Sequence, residues 1–150
     1  MAADGYPSEM IYNRILDLRS RVRASFVVDT LTFLSRGGRC SAATALIGNA
    51  IKLKPMIVVS EGKMDAGKKY RGSSDRVIAH YVNDMKADIL NAEPSRVFIT
   101  HTVTSGDSVA KVRKFLEELN YFDEILETEA GGVISSHCGP GTLGVLYIEK

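Results

Sequence analysis

The chain has 150 residues, 45% of them hydrophobic and 25% charged, and its 19 basic and 18 acidic side chains give a formal charge of +1. That composition is enough for one domain with its own core, and the charge balance favours neither a polynucleotide nor an anionic membrane as partner. No apolar run is long enough for a bilayer span and no signal peptide opens the sequence, so we predict a cytoplasmic protein without stable membrane insertion or nucleic-acid binding.

The first half of the chain alternates helical spacing of apolar residues with short β-rich runs. The predicted elements, in chain order, are a helix over 8–23, a strand over 25–29, a brief helix ended by Gly37-Gly38, a helix over 41–50 and a strand over 56–60. The turn signal Glu61-Gly62 predicts a hairpin arm at 63–64, and residues 68–71 are predicted as a further short strand.

The second half contributes two strong helices and three strands. The predicted elements are a long helix over 74–90, a strand over 96–101, a helix from Gly106 or Asp107 to Leu119, and strands over 122–127 and 143–148. Hairpin-like neighbours indicate an α+β two-layer sandwich, a largely antiparallel sheet of about six strands with helices on one face. We expect residues 1–150 to form a single domain in which residues 1–7 are a tag or a frayed end.

The most informative segment runs from Ser135 to Thr142, immediately before the last predicted strand. In it, His137 precedes Gly139-Pro140-Gly141, and we interpret the whole segment as a loop. Proline fixes φ and has no N–H, while the glycines open backbone conformations that a side chain forbids. Such a loop can direct backbone N–H groups and an imidazole at an anionic or carboxyl group. The alternative is a turn whose histidine is satisfied by a neighbouring carbonyl.

Two basic segments are further candidates for binding sites. Arginines flank the glycines in Arg36-Gly37-Gly38-Arg39, where an anion could also meet the next helix's free N–H groups, with solvated charges or an ion pair as the alternative. The cluster Lys68-Lys69-Tyr70-Arg71 with Arg76 is either a solvated face or a docking face for another protein.

Two cysteines, Cys40 and Cys138, lie far apart and form no metal-ligand spacing, so we expect free thiols, with a disulfide as the alternative. Cys138 as the nucleophile of a hydrolase or transferase is a rival function, although no orienting partner is signalled for it. His80, on the long predicted helix, is expected to be exposed or half-buried rather than a ligand.

Five segments, in this order, resemble signatures of the DegV family. They are Asp29-Thr30-Leu31-x-x-Leu34-x-Arg36-Gly37-Gly38-Arg39, Ile51-Lys52-Leu53-Lys54-Pro55, Glu61-Gly62-Lys63, Arg71-Gly72 and His137-x-Gly139-Pro140-Gly141. Members of that family are two-domain bacterial proteins that bind a long-chain fatty acid between their domains. Several present the acyl carboxylate to a fatty acid kinase.

The resemblance covers the family's C-terminal domain, so its N-terminal domain would be a missing partner. It implies that His137, Gly139 and Gly141 form the carboxylate site with Arg39, and that Arg71, with Arg76 nearby, lies where a kinase subunit docks. It implies no catalysis by this chain, no cofactor or metal, and a ligand such as palmitate or oleate. Cys138 departs from the family's usual threonine.

The predicted 41–50 helix supplies candidates for contacts with the acyl chain. We assign this role to Leu46 and Ile47, with plain core packing as the alternative. A protein-interaction module without any ligand remains a rival interpretation of the whole chain.

Overall fold

The computed structural model of the protein describes residues 1–38, 53–60 and 62–150. Its helices are α1 Ser8–Arg19, α2 Thr32–Arg36, α3 Ser74–Asp84, α4 Lys86–Leu90, α5 Gly106–Leu119 and α6 Gly132–Cys138. Its strands are β1 Val22–Val27, β2 Leu53–Ser60, β3 Lys63–Arg71, β4 Arg96–His101, β5 Glu124–Glu129 and β6 Leu143–Ile148.

The strands of this part of the chain form one six-stranded sheet in the order β3-β2-β1-β6-β4-β5. Neighbouring strands are antiparallel except β4 and β5, which are parallel and are connected by the crossover helix α5. The predicted α+β class with a largely antiparallel sheet is therefore confirmed. β3 and β5 are the edge strands, and β3 exposes basic side chains at Lys68, Lys69 and Arg71.

The main core lies between one face of the sheet and the helices α3, α4 and α5. Alternate strand residues point to this face, and Tyr81 is its largest fully buried side chain. The Tyr81 hydroxyl donates to the Ser25 carbonyl at 2.8 Å and accepts from the Val145 N–H at 3.1 Å. A buried hydroxyl is satisfied in this way at the point where helix and sheet meet.

A second, smaller cluster lies on the opposite face, beside α2 and α6. It contains Val28, Leu31, Leu34, Ile57 and Cys138, which are buried. Phe26 packs against this cluster while its neighbour Val27 belongs to the main core, as the alternation of a strand requires. The short helices α2 and α6 thus lie together near the end of β1.

Several predicted bounds are corrected. The 74–90 helix is interrupted at Met85, and the two strands predicted at 63–64 and 68–71 are one strand, β3. Residues 135–138, interpreted as part of a loop, belong to α6, and α1 ends at Arg19, before the predicted residue 23. The strand predicted over 122–127 begins and ends two residues later. The predicted 41–50 helix lies outside the described residues.

α1 stands apart from both cores, since none of its residues is buried. Its exposed apolar side chains include Tyr12 and Ile15. No helix in the described ranges has the length and apolar character needed to cross a bilayer.

Candidate functional site

His137 lies in the last turn of α6 and not on a loop. Gly131 enters the helix with extended backbone and Gly139 ends it with φ +78°, a conformation that favours glycine. The imidazole is half-buried. A helix, rather than a flexible connection, therefore sets the direction of this side chain.

The His137 ring packs directly against Gly37, the C-cap of α2. A Cβ added at Gly37 would lie 2.8 Å from His137 Cε1 and closer still to Nδ1. Only the missing side chain of Gly37 leaves room for the ring in this position. The structure thus brings together two of the segments that the sequence singled out, Arg36-Gly37-Gly38 and the segment around His137.

The two glycines after His137 have different neighbours. A Cβ at Gly139 would lie 2.7 Å from Cε2 of Phe33, so this glycine is required both by its φ and by the aromatic ring of α2. Gly141 also has a positive φ, +76°, and a Cβ there would lie 3.3 Å from Cβ of Asp29. The turn therefore lies between α2 and Asp29, the second residue after β1.

Hydrogen bonds join this turn to the end of β4. The Thr102 hydroxyl donates to the Gly139 carbonyl at 2.8 Å, and the Gly141 N–H donates to the Val103 carbonyl at 2.8 Å. Thr102 and Thr142 are both 5% exposed. Thr102 was not identified from the sequence, where the only available signal was a hydroxyl side chain directly after a predicted strand.

A hydrogen-bonded group of Lys54, Asp29 and Ser74 lies next to Gly141. Lys54 donates to the Asp29 carboxylate and, at 2.6 Å, to the hydroxyl of Ser74, which in turn donates to Asp29 at 3.1 Å. Lys54 is largely buried, with 16% of its side chain exposed, whereas Asp29 is 47% exposed. The buried ammonium is thus compensated by a carboxylate that faces solvent.

His137 itself has an unused capacity for hydrogen bonding. Within the described residues, neither ring nitrogen has a hydrogen-bond partner. The alternative of a histidine satisfied by a neighbouring carbonyl therefore finds no support in those ranges. An imidazole without such partners can donate a hydrogen bond to a bound group.

Cys138 faces the second cluster rather than the site. It is 4% exposed, and burial raises the pKa of its thiol. A nucleophilic cysteine requires the opposite, an accessible thiol with a lowered pKa. The cysteine-dependent hydrolase is therefore not supported, and the part of the chain that the structure describes contains no group of three or more potential metal ligands.

The other two histidines are placed differently. His80 is exposed on α3, as predicted. His101 Nδ1 is 2.8 Å from the Thr102 carbonyl oxygen, and its Nε2 is 3.2 Å from Glu127, whose carboxylate also contacts Arg113 at 3.1 Å. His101 thus has a partner at each ring nitrogen, and it lines a pocket of about 260 Å³ at the ends of β4 and β5.

The remaining predicted residues fall into two groups. Arg39, Leu46, Ile47 and Cys40 lie outside the described residues. Arg71 is exposed at the end of edge strand β3, and Arg76, in the first turn of α3, lies close to Gly72, whose Cβ would meet its Cδ at 3.2 Å. The two arginines therefore belong to one exposed region, which is separate from the His137 turn in the topology.

Comparison with known proteins gives consistent results. The family described as "Uncharacterised protein, DegV family" matches residues 1–150. A DegV domain-containing protein of Deinococcus radiodurans is 36% identical over 120 residues, which are 80% of this chain and 42% of the relative. The chain therefore spans about half the length of the curated relatives it matches.

Two solved structures extend the likeness to the fold. A DegV family protein from Thermus thermophilus, described by its fatty acid binding, has a TM-score of 0.82 and 29% identity, over 99% of this chain and 53% of that one. A fatty acid binding DegV family protein from Streptococcus agalactiae has a TM-score of 0.78 and 28% identity, over 99% and 52%.

Proposed function

We propose, from the premise that this chain belongs to the DegV family, that it binds a long-chain fatty acid as the C-terminal half of a two-domain protein. This family membership confirms the resemblance seen in the five sequence segments. The single observation that carries the proposal is the His137 ring, seated on Gly37 beside a glycine-bounded turn and without a hydrogen-bond partner in the described ranges. The Thermus and Streptococcus relatives, described as fatty acid binding, supply the ligand class.

The head group is the demanding part of this ligand. A carboxylate removed from water is costly unless donors meet it. In our proposal His137 donates to it, Gly139 and Gly141 let it approach the backbone, and Arg39 adds a guanidinium. A donor to a charged acceptor contributes about 1.5–3 kcal/mol, so the imidazole alone changes affinity by roughly 10- to 150-fold.

The hydrocarbon supplies most of the binding energy. Each buried methylene contributes about 0.8 kcal/mol, which is about 10 kcal/mol for a palmitate-length chain before ordering costs. We assign Leu46 and Ile47 as contacts of this chain.

The chain would perform no chemistry of its own and would act in the cytoplasm. It would hold the acyl carboxylate for a kinase subunit, with the family's N-terminal domain closing the other side of the ligand. Arg71 and Arg76 are the proposed docking residues for that subunit, supported by their exposure in one region. Because half of the ligand's surroundings are then absent, the isolated chain should bind palmitate weakly or not at all by calorimetry.

The direct test is mass spectrometry of lipid extracted from the full-length protein. We expect a long-chain fatty acid in the wild type and a roughly 10- to 150-fold weaker palmitate affinity in His137→Ala. His80→Ala is the matched control, because His80 is exposed on α3. Equal losses in the two variants, or no extracted fatty acid, would contradict the proposal and would favour an interaction module without ligand.

A further inference from the structure

One buried side chain connects the two ends of the turn that follows His137. The Thr102 hydroxyl donates to the Gly139 carbonyl at 2.8 Å and accepts from the Thr142 N–H at 3.1 Å. The Thr102 N–H donates to the Thr142 carbonyl at 3.0 Å. Gly139 is the residue that ends α6, and Thr142 directly precedes β6, so a single residue after β4 holds both flanks of the turn.

The other hydrogen bonds of the turn do not replace this connection. The Thr142 hydroxyl donates to the carbonyls of Cys138 and Gly139, both at 3.1 Å, but these bonds stay within the segment itself. The Gly139 carbonyl therefore keeps one donor without Thr102. The Thr142 N–H does not keep an acceptor, since in the residues described its only hydrogen bond is to the Thr102 hydroxyl.

The opposite side of the turn is fixed by packing. The Phe33 ring occupies the position that a Cβ of Gly139 would take, and Gly37 packs against the His137 ring. Phe33 lies within α2, and Gly37 is the C-cap of that helix. Thr102 approaches from β4, so α6 is held between a helix and a strand end. Without the hydroxyl, the backbone bonds from Gly141 to Val103 and from Thr102 to Thr142 still hold the later part of the turn. Gly139 would lose its bond to the end of β4, and the end of α6 could then move relative to Gly37.

We infer that Thr102 is a positioning residue of the head-group site: it does not touch the ligand, but it fixes the end of α6 and therefore the direction of the His137 ring. The inference deepens the proposed function and rests on it for its consequence in binding. The structural claim, that Thr102 sets the position of the ring, is independent of any ligand.

The first arm of the test needs no lipid. The ring signals of His137 are measured by NMR in the isolated chain for wild type, Thr102→Val and Thr102→Ser, with the three histidines assigned through His80→Ala and His137→Ala. Valine keeps the shape and removes the hydroxyl, whereas serine retains it. We expect the His137 signals to shift in Thr102→Val and to return to wild-type positions in Thr102→Ser.

Two controls separate positioning from loss of stability. Thr100→Val removes a hydroxyl on the same strand that pairs with Thr128 at 2.8 Å, away from the turn. Tyr81→Phe removes a buried hydroxyl from the main core and should destabilise the fold at least as much as Thr102→Val. An unchanged His137 signal in Thr102→Val, or an equal shift in Tyr81→Phe, would overturn the inference.

Amide exchange keeps the claim testable if Thr102→Val does not fold. In the wild type, the Thr142 N–H should exchange as slowly as the amides of β6, because it is buried and bonded to Thr102. Exchange as fast as in the exposed loop at Val103 would overturn the inference.

The second arm measures palmitate affinity in the full-length protein. Thr102→Val should weaken it by about tenfold and Thr102→Ser by no more than about twofold, measured where both variants are fully folded. Wild-type affinity in folded Thr102→Val would overturn the inference. A wild type that binds no palmitate would refute the proposed function, and the ring signals of the first arm would still decide whether Thr102 positions His137.

Discussion

Replacing Gly37 with alanine should displace the His137 ring while leaving the backbone of α2 intact. Gly37 has φ −77° and ψ −7°, which alanine adopts without strain, so the effect of the substitution comes from its methyl group alone. That methyl would lie 2.8 Å from His137 Cε1, and ordinary contact begins at 3.4 Å, so the ring must shift by at least about 0.6 Å.

The energetic consequence has two opposing parts. Overpacking of this kind costs about 1–3 kcal/mol, and replacing glycine at a helix end returns up to about 1 kcal/mol. The net loss of unfolding free energy should therefore be about 0–3 kcal/mol, a lowering of Tm by no more than about 12 °C. We therefore expect the substitution to move the ring while the protein stays folded.

The assay is the NMR signal of the His137 ring, followed by palmitate retention in the full-length protein. Gly38→Ala is the matched control, because a Cβ at Gly38 meets no atom of the described residues within 4 Å and its φ of +63° is unfavourable for alanine. We expect Gly37→Ala to shift the His137 signals and reduce retention, and Gly38→Ala to lower stability with the signals unchanged. Unchanged His137 signals in Gly37→Ala would refute the reasoning.

Three further predictions concern stability and reactivity. Gly139→Ala combines a positive φ with overlap on Phe33 and should lower the unfolding free energy by about 2–5 kcal/mol in urea titration; a loss below about 1 kcal/mol would contradict the packing described. Arg113 holds the pKa of Glu127 below its ordinary value of 4.5, so the stabilisation is present above that value and is lost as pH falls through the lower folded-state pKa. Glu127→Gln should therefore lower Tm at pH 7 and match the wild type in strong acid, and a difference that persists in acid would refute this assignment. Cys138 should react slowly with iodoacetamide, with no inflection below the range of an ordinary thiol, whereas a low-pH inflection would revive the cysteine nucleophile.

The sequence predicted the central strands well and the short elements poorly. β4 and β6 match their predicted bounds, because each is a run of apolar and β-branched residues that ends in a polar or glycine-containing segment. α6 was missed since glycines occupy its N-cap and first position and only seven residues form it, which is too short for a helical period to be recognised. Its stability comes from packing on α2, a contact between distant parts of the chain.

The sequence singled out the segment around His137 but not the geometry in which the structure places it. Gly37 and His137 are 100 positions apart and stand in two separate segments of the family resemblance, and nothing in the sequence predicted their contact. Gly37 makes room for the ring through a tertiary contact, which no local sequence pattern can predict. Thr102 was missed for the same reason, because its role depends on the pairing of β4 with β6.

The outer strand β3 bears on how copies of this chain meet one another. An unpaired strand edge is a template for pairing with a second chain, and lysines are a common means of preventing it. Two such edges approaching each other would bring Lys68, Lys69 and Arg71 of each copy together, so like charges would oppose the contact most strongly in dilute salt. The basic character of β3 therefore disfavours the pairing of two β3 edges, whether or not a partner docks there.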